Sequence, residues 1–195
     1  QVPSTVPGLY CTRTRLVDTY NHPIGFSEYF AKAPSFSNAL MQSIGGGNTM
    51  VFNEAARKLL VKAGSGLNVV THDWWLYLVV SGCGGRVYYD SFPSLRYRQH
   101  EGNLVGMNLT APARFLRIKM LMQGLYRDWN KRNIIALNRI LDELLPENRK
   151  ELELFASARD KWFIPRMIGL SKARIYRQTL LGNLGLIFAA IFKKI

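Results

Sequence analysis

Thr71-His72-Asp73-Trp74-Trp75-Leu76-Tyr77-Leu78-Val79-Val80-Ser81-Gly82-Cys83-Gly84-Gly85-Arg86-Val87-Tyr88-Tyr89-Asp90 passes from a long apolar run through a cluster of glycines into an alternating segment. Thr71 is a helix-capping residue type, and the spacing predicts a helix from Asp73 to about Ser81. Gly82, Gly84 and Gly85 end it, and Arg86–Asp90 alternates as a strand. Upstream, Asn53 caps a helix to about Ala63, with Glu54 in its first turn and Gly64 just past its end. Gly45-Gly46-Gly47-Asn48 reads as a tight turn and Thr49-Met50-Val51-Phe52 as a short strand. Leu9-Tyr10-Cys11-Thr12 is a strand, closed by the turn signals Asn21-His22-Pro23 and Gly25.

Downstream, Ser91-Phe92-Pro93 reads as a turn and Leu95-Arg96-Tyr97-Arg98 as a further short strand. From Thr110 the character is helical. Phe115, Ile118, Met122, Leu125 and Trp129 recur at helical spacing, and Ile134, Leu137, Leu141 and Leu144 continue it to Pro146. A helix is expected over Glu147 to Arg159, and Pro165 restarts the chain. The expectation is therefore mixed α/β, in three parts: 1–109, a helical extension 110–160, and a tail 161–195.

With 195 residues, 48% hydrophobic, the chain can bury a core. Its net charge of +13 asks for an anionic partner: nucleic acid, an acidic membrane surface or a phosphate-bearing substrate. Residues 161–195 hold seven Lys or Arg and no Asp or Glu. They also hold the apolar run Leu184–Phe192, which is too short to span a bilayer of about twenty residues' helix length. A basic segment with such a run fits a helix lying in an anionic membrane interface, and equally an ordinary packed helix with a solvated basic face. Basic residues beside apolar ones suit lipid better than nucleic acid, so no nucleic-acid partner is expected. Cys11 and Cys83 have no metal or redox spacing and read as reduced thiols.

Chemistry-bearing motifs are few. There is no Asp-x-Asp, no Gly-x-Gly-x-x-Gly, no phosphate loop and no Ser-His-Asp arrangement. Two clusters remain. In the first, Asp73 is either a first-turn carboxylate stabilised by the helix dipole or a general base. Trp74 beside it can stack on a sugar or pack in the core. In the second, Arg98 can hold a phosphate through two hydrogen bonds. Gln99 follows it, and His100 can ligate a divalent metal.

Together, Thr49-Met50-Val51-Phe52-Asn53, His72-Asp73-Trp74-Trp75 and Tyr97-Arg98-Gln99-His100 with Asn103 resemble bacterial family-2 glycosyltransferases, particularly those that build rhamnose-containing surface polysaccharides. Tyr176-Arg177-Gln178-Thr179 and Gly182-Asn183 extend the likeness. The resemblance implies an incomplete GT-A-type mixed sheet followed by helices. It implies Asp73 as the base that deprotonates an acceptor hydroxyl, with inversion at the anomeric carbon of a nucleotide-sugar donor. Arg98 and Gln99 would contact phosphate or acceptor, and Asn48 and Thr49 would line the cleft. His100 would help hold a divalent ion, Mg or Mn. The acceptor would be a glycan or lipid-linked hydroxyl, and the place of action the cytoplasmic face of the bacterial membrane. Glu101-Gly102-Asn103 departs from relatives that carry Gly or Asn directly after the histidine. Since Gln1 opens the sequence and no acidic metal motif is present, the donor-binding half is expected to lie outside this chain, leaving the chain alone inactive. A non-catalytic acceptor- or membrane-docking module is the competing expectation.

Overall fold

The computed structural model describes residues 2–99 and 119–195, and its class is mixed α/β as expected. The centre is β1, Gly8–Val17, whose residues Leu9, Cys11, Leu16 and Val17 are buried. One edge of β1 takes β4, Arg86–Arg98, in parallel from Gly8↔Arg86 to Val17↔Arg98. The other edge is shared by two short antiparallel strands, β2 at Pro23–Phe26 and β3 at Val51–Phe52.

The sequence expectation of two strands around a turn at Ser91–Pro93 is corrected here: β4 is one strand with a bulge. Its register slips around Arg13, which faces Pro93, so the extra residues are absorbed there. A bulge is where a strand tolerates proline, which has no N–H to give the ladder. The Asp90 carboxylate accepts from Phe92 N at 2.8 Å, closing the bulge locally.

A short helix, α1, covers Phe36–Ala39 and is capped by Ser35, whose Oγ accepts from Asn38 N at 3.2 Å. Helix α2, Glu54–Ala63, has the expected Asn53 cap and Gly64 end. Asn53 also ties α2 to the start of β1: its Oδ1 accepts from both Ala56 N and Gly8 N, and its Nδ2 donates to Val6 O at 2.8 Å. Helix α3, His72–Gly82, is buried from Trp74 through Val80. A helix apolar on all sides belongs inside a core, and α3 is the central rod of this one. Tyr77 is fully buried on it, its hydroxyl donating to Ser35 O at 3.0 Å.

Gly85 turns α3 into β4. A Cβ there would meet Pro7 O at 2.6 Å and Val80 O at 2.7 Å, both backbone atoms. Gly85→Ala must therefore shift main chain, and a loss of about 1–3 kcal/mol is expected. A urea midpoint equal to the parent's would contradict that reading of the turn.

The helices α4 at Leu125–Leu137, α5 at Pro146–Asp160, α6 at Phe163–Lys172 and α7 at Leu180–Ile191 follow. Pro146 opens α5 at its first position, where the missing N–H is harmless. Pro165, expected to restart the chain, sits inside the first turn of α6, which begins two residues earlier at Phe163, also a tolerated place. One hydrophobic cluster includes Leu9, Tyr77, Leu137, Phe155, Leu170 and Ile195, so all three sequence regions share a core. The tail is stitched to the front of the chain. Gln178 exchanges two bonds with the Lys32 backbone, Nε2 donating to its carbonyl and Oε1 accepting from its amide, both at 3.0 Å. Asn38 Nδ2 donates to Tyr176 O at 3.1 Å.

Candidate functional site

Asp73 lies in the first turn of α3 and is half-buried. Its Oδ1 accepts from Trp74 N at 2.7 Å, and no other described residue donates to it by hydrogen bond. Because the next seven residues of α3 are buried, the carboxylate is carried on an element that cannot pivot independently of the core. A carboxylate so held, with one oxygen not engaged by the helix, can accept a proton from a hydroxyl brought against it.

The glycine turn comes to the same place. Gly45 packs against Cys11, where a Cβ would meet Cys11 Cβ at 3.3 Å. A Cβ on Gly47 would collide with His72 Nε2. The turn is thus wedged between β1 and the exposed imidazole at the start of α3, and a side chain at Gly47 would push the His72 ring aside. Asn48 is exposed on this turn. Thr49 is 6% exposed and its hydroxyl donates to Gly46 O at 2.8 Å, a bond that shapes the turn. Asn48 and Thr49 thus follow directly on the glycine that lies under His72, with Asn48 offering the accessible side chain.

Trp74 is a core residue. It is 6% exposed, its Nε1 donates to Ala39 O at 2.6 Å, and its ring meets Trp129 edge-on at 6.2 Å. Trp75 is buried as well.

The second cluster is anchored elsewhere. Arg98 ends β4 opposite Val17, six residues and about 20 Å of strand beyond Cys11. Gln99 N donates to Val17 O at 2.8 Å. His100 and Asn103 lie outside the described residues. Among the described residues no group of three or more His, Cys, Asp or Glu is arranged to hold a metal ion, and His100, the expected metal-side residue, is not one of them.

Tyr176-Arg177-Gln178-Thr179 and Gly182-Asn183 form a knot at the start of α7. Thr179 Oγ1 accepts from Gly182 N at 3.1 Å, and Asn183 Nδ2 donates to Arg177 O and Thr179 O, both at 2.7 Å. These residues join the tail to the core and stand away from Asp73 in role.

Sequence reasoning missed an aromatic platform. Tyr10 and Tyr88 stack at 5.7 Å with their planes 9° apart, and Tyr10 Oη donates to Asp90 Oδ2 at 2.7 Å. The signal was the register, since β1 and β4 in parallel set Tyr10 opposite Tyr88. Alternation puts Tyr10 on the opposite sheet face from Cys11, hence away from the glycine turn and Asp73.

Burial pushes the thiols of Cys11 and Cys83 up from 9.0 to about 12. At neutral pH the thiolate fraction falls by about a thousandfold against an ordinary cysteine. Iodoacetamide is expected to label neither residue appreciably until the chain unfolds, and rapid labelling of the folded chain, read by mass, would contradict their placement.

No family model matches the chain, and no solved structure matches it. A 60-residue stretch is 35% identical to the dTDP-rhamnosyl transferase RfbG of Shigella flexneri. That stretch is 31% of this chain and spans only 21% of that protein's length. The likeness is to a glycosyltransferase and is confined to that stretch.

Proposed function

We propose that this chain carries the acceptor side of an inverting sugar transfer. Asp73 takes the proton of an acceptor hydroxyl. The oxygen attacks the anomeric carbon, and the nucleoside diphosphate leaves with the electron pair of the broken bond. Asn48, on the glycine turn beside His72, contacts the acceptor. Thr49 and Trp74 act through shape, one by holding the turn and the other by fixing α3.

The observation that carries this reading is the seating of Asp73: a half-buried carboxylate on the first turn of an otherwise buried helix. The partial likeness to a dTDP-rhamnosyl transferase supports the class and suggests a nucleotide-activated deoxyhexose as donor. A glycan or lipid-linked glycan is the matching acceptor.

The test is transfer by the full-length gene product. It is incubated with dTDP-rhamnose and, separately, other nucleotide sugars, on acceptor glycan from its own source. Formation of a product whose new linkage has inverted anomeric configuration, read by NMR, is the expected result. Retention of configuration would sink the mechanism, and absence of transfer from every donor would sink the reading. A non-catalytic docking module is the second reading, favoured by the open apolar faces of α6 and α7.

A further inference from the structure

Helix α7, Leu-Leu-Gly-Asn-Leu-Gly-Leu-Ile-Phe-Ala-Ala-Ile, has no charged residue, yet only Ala189 and Ala190 are buried on it. Leu181 is 64% exposed and Leu184 55%, and Ile187, Ile191 and Phe192 are exposed as well. An apolar helix with so little covering has no counterpart in an ordinary water-facing surface. Helix α6 repeats the feature: Phe163, Ile164 and Ile168 are exposed, as is Trp162 at its cap. The two helices are clipped together by Arg166, buried on α6, whose Nη2 donates to Ile191 O at 3.1 Å.

Cations flank these two helices along the chain. No acidic residue occurs after Asp160, whereas Lys161, Lys172, Arg174, Lys193 and Lys194 do. Where α7 ends, a cleft of about 540 Å³ opens between the start of α4, the end of α5 and the segment after α7. Arg127, Lys131, Arg159, Lys193 and Lys194 line it, against Asp128 and Asp160. Arg127 is paired with Asp160 at 3.0 Å, and Arg159 is spent on the carbonyls of Arg127 and Ile195. Among the described residues no carboxylate forms an ion pair with Lys131, Lys193 or Lys194, which remain for an outside anion.

We propose that α6 and α7 lie flat in the interface of an anionic bilayer, and that the cleft at the end of α7 receives phosphate groups of its lipids. Length agrees: twelve residues of helix are about 18 Å, short of the roughly 30 Å hydrocarbon core. No helix among the described residues is long and apolar enough to cross a membrane. An amphipathic surface of open apolar side chains rimmed by Lys and Arg is the form of an interfacial anchor. Charge selects the bilayer over a second copy of the chain, because two such surfaces would repel. This inference does not depend on sugar transfer, since none of its residues belongs to the Asp73 site.

The test is flotation of the full chain with vesicles of phosphatidylcholine alone, or with about a third phosphatidylglycerol. Binding at least tenfold tighter to the anionic vesicles is expected. Ile164→Asp with Ile187→Asp should weaken binding to both vesicle types by more than tenfold, with circular dichroism and melting midpoint kept. Leu181→Asp with Phe192→Asp is the substitute pair should the first not fold. Each charge removed among Lys131→Gln, Lys193→Gln and Lys194→Gln should weaken anionic binding about fivefold, and all three together about a hundredfold. Equal binding to both vesicle types would overturn the proposal. So would indifference to the apolar pairs, release by excess inorganic phosphate, or a dimer in solution that either apolar pair dissolves.

Discussion

Asp73→Asn is expected to leave the chain folded and to slow sugar transfer by the full-length protein about 10²–10⁴-fold, the usual contribution of a positioned general base. Asparagine keeps the carbonyl oxygen that accepts from Trp74 N, so the first turn of α3 retains its bond. What is lost is the charge. Its interaction with the helix dipole is about 0.3–1 kcal/mol, too small to unfold a helix whose next seven residues are buried. A fall in rate with an unchanged melting midpoint therefore isolates chemistry from folding. Asp73→Glu is the companion. It restores a base but moves it by about one methylene on a rigid helix, and it should recover only part of the rate. Transfer that is unchanged in Asp73→Asn would remove the base assignment and favour the docking module.

What the sequence could and could not reveal divides along local and distant physics. Helix α2 was legible end to end because Asn53, Glu54 and Gly64 act within one turn of themselves. The start of α3 was legible too, although Thr71 makes no side-chain cap bond and the helix is held by burial. Pro93 misled because a proline after Ser-Phe is a turn signal locally. Only the ten-residue pairing of β1 with β4 makes that turn a bulge, and a distant partner leaves no trace in a short window. The same pairing creates the Tyr10–Tyr88 stack.

At the candidate site, the carboxylate was visible as a residue type in a first turn. Its closeness to the glycine turn was not, since it depends on His72 lying over Gly47 and Gly45 lying on Cys11. Arg98 was grouped with Asp73 by motif order, whereas the register sets Arg98 opposite Val17, six residues along β1 from the Cys11 on which the glycine turn packs. The tail was legible as basic and apolar, but the seating of the segment between α6 and α7 follows from the bonds of Gln178 to Lys32, which is remote in sequence.

Trp74→Ala carries the largest expected effect on stability and decides what this indole is for. Removing a buried Trp leaves a cavity beside Trp129 and leaves Ala39 O without its donor. Large-to-small changes of this kind lower stability by about 3–5 kcal/mol. That is a large share of a typical domain's 5–15 kcal/mol, so the variant should melt far below its parent. Trp74→Phe keeps most of the apolar volume and loses the Nε1 bond. It should cost about 1–3 kcal/mol, the penalty of a buried carbonyl left unsatisfied. If Trp74 acted instead by stacking on a sugar, Trp74→Phe would spare stability and raise KM for the acceptor. The core assignment predicts the reverse: a lowered midpoint, with KM unchanged at temperatures where the variant is still folded. The two substitutions also bear on Asp73, because Trp74 supplies the amide that holds its Oδ1. A loosened indole should loosen the base, so kcat should fall in step with stability along the series from Trp to Phe to Ala.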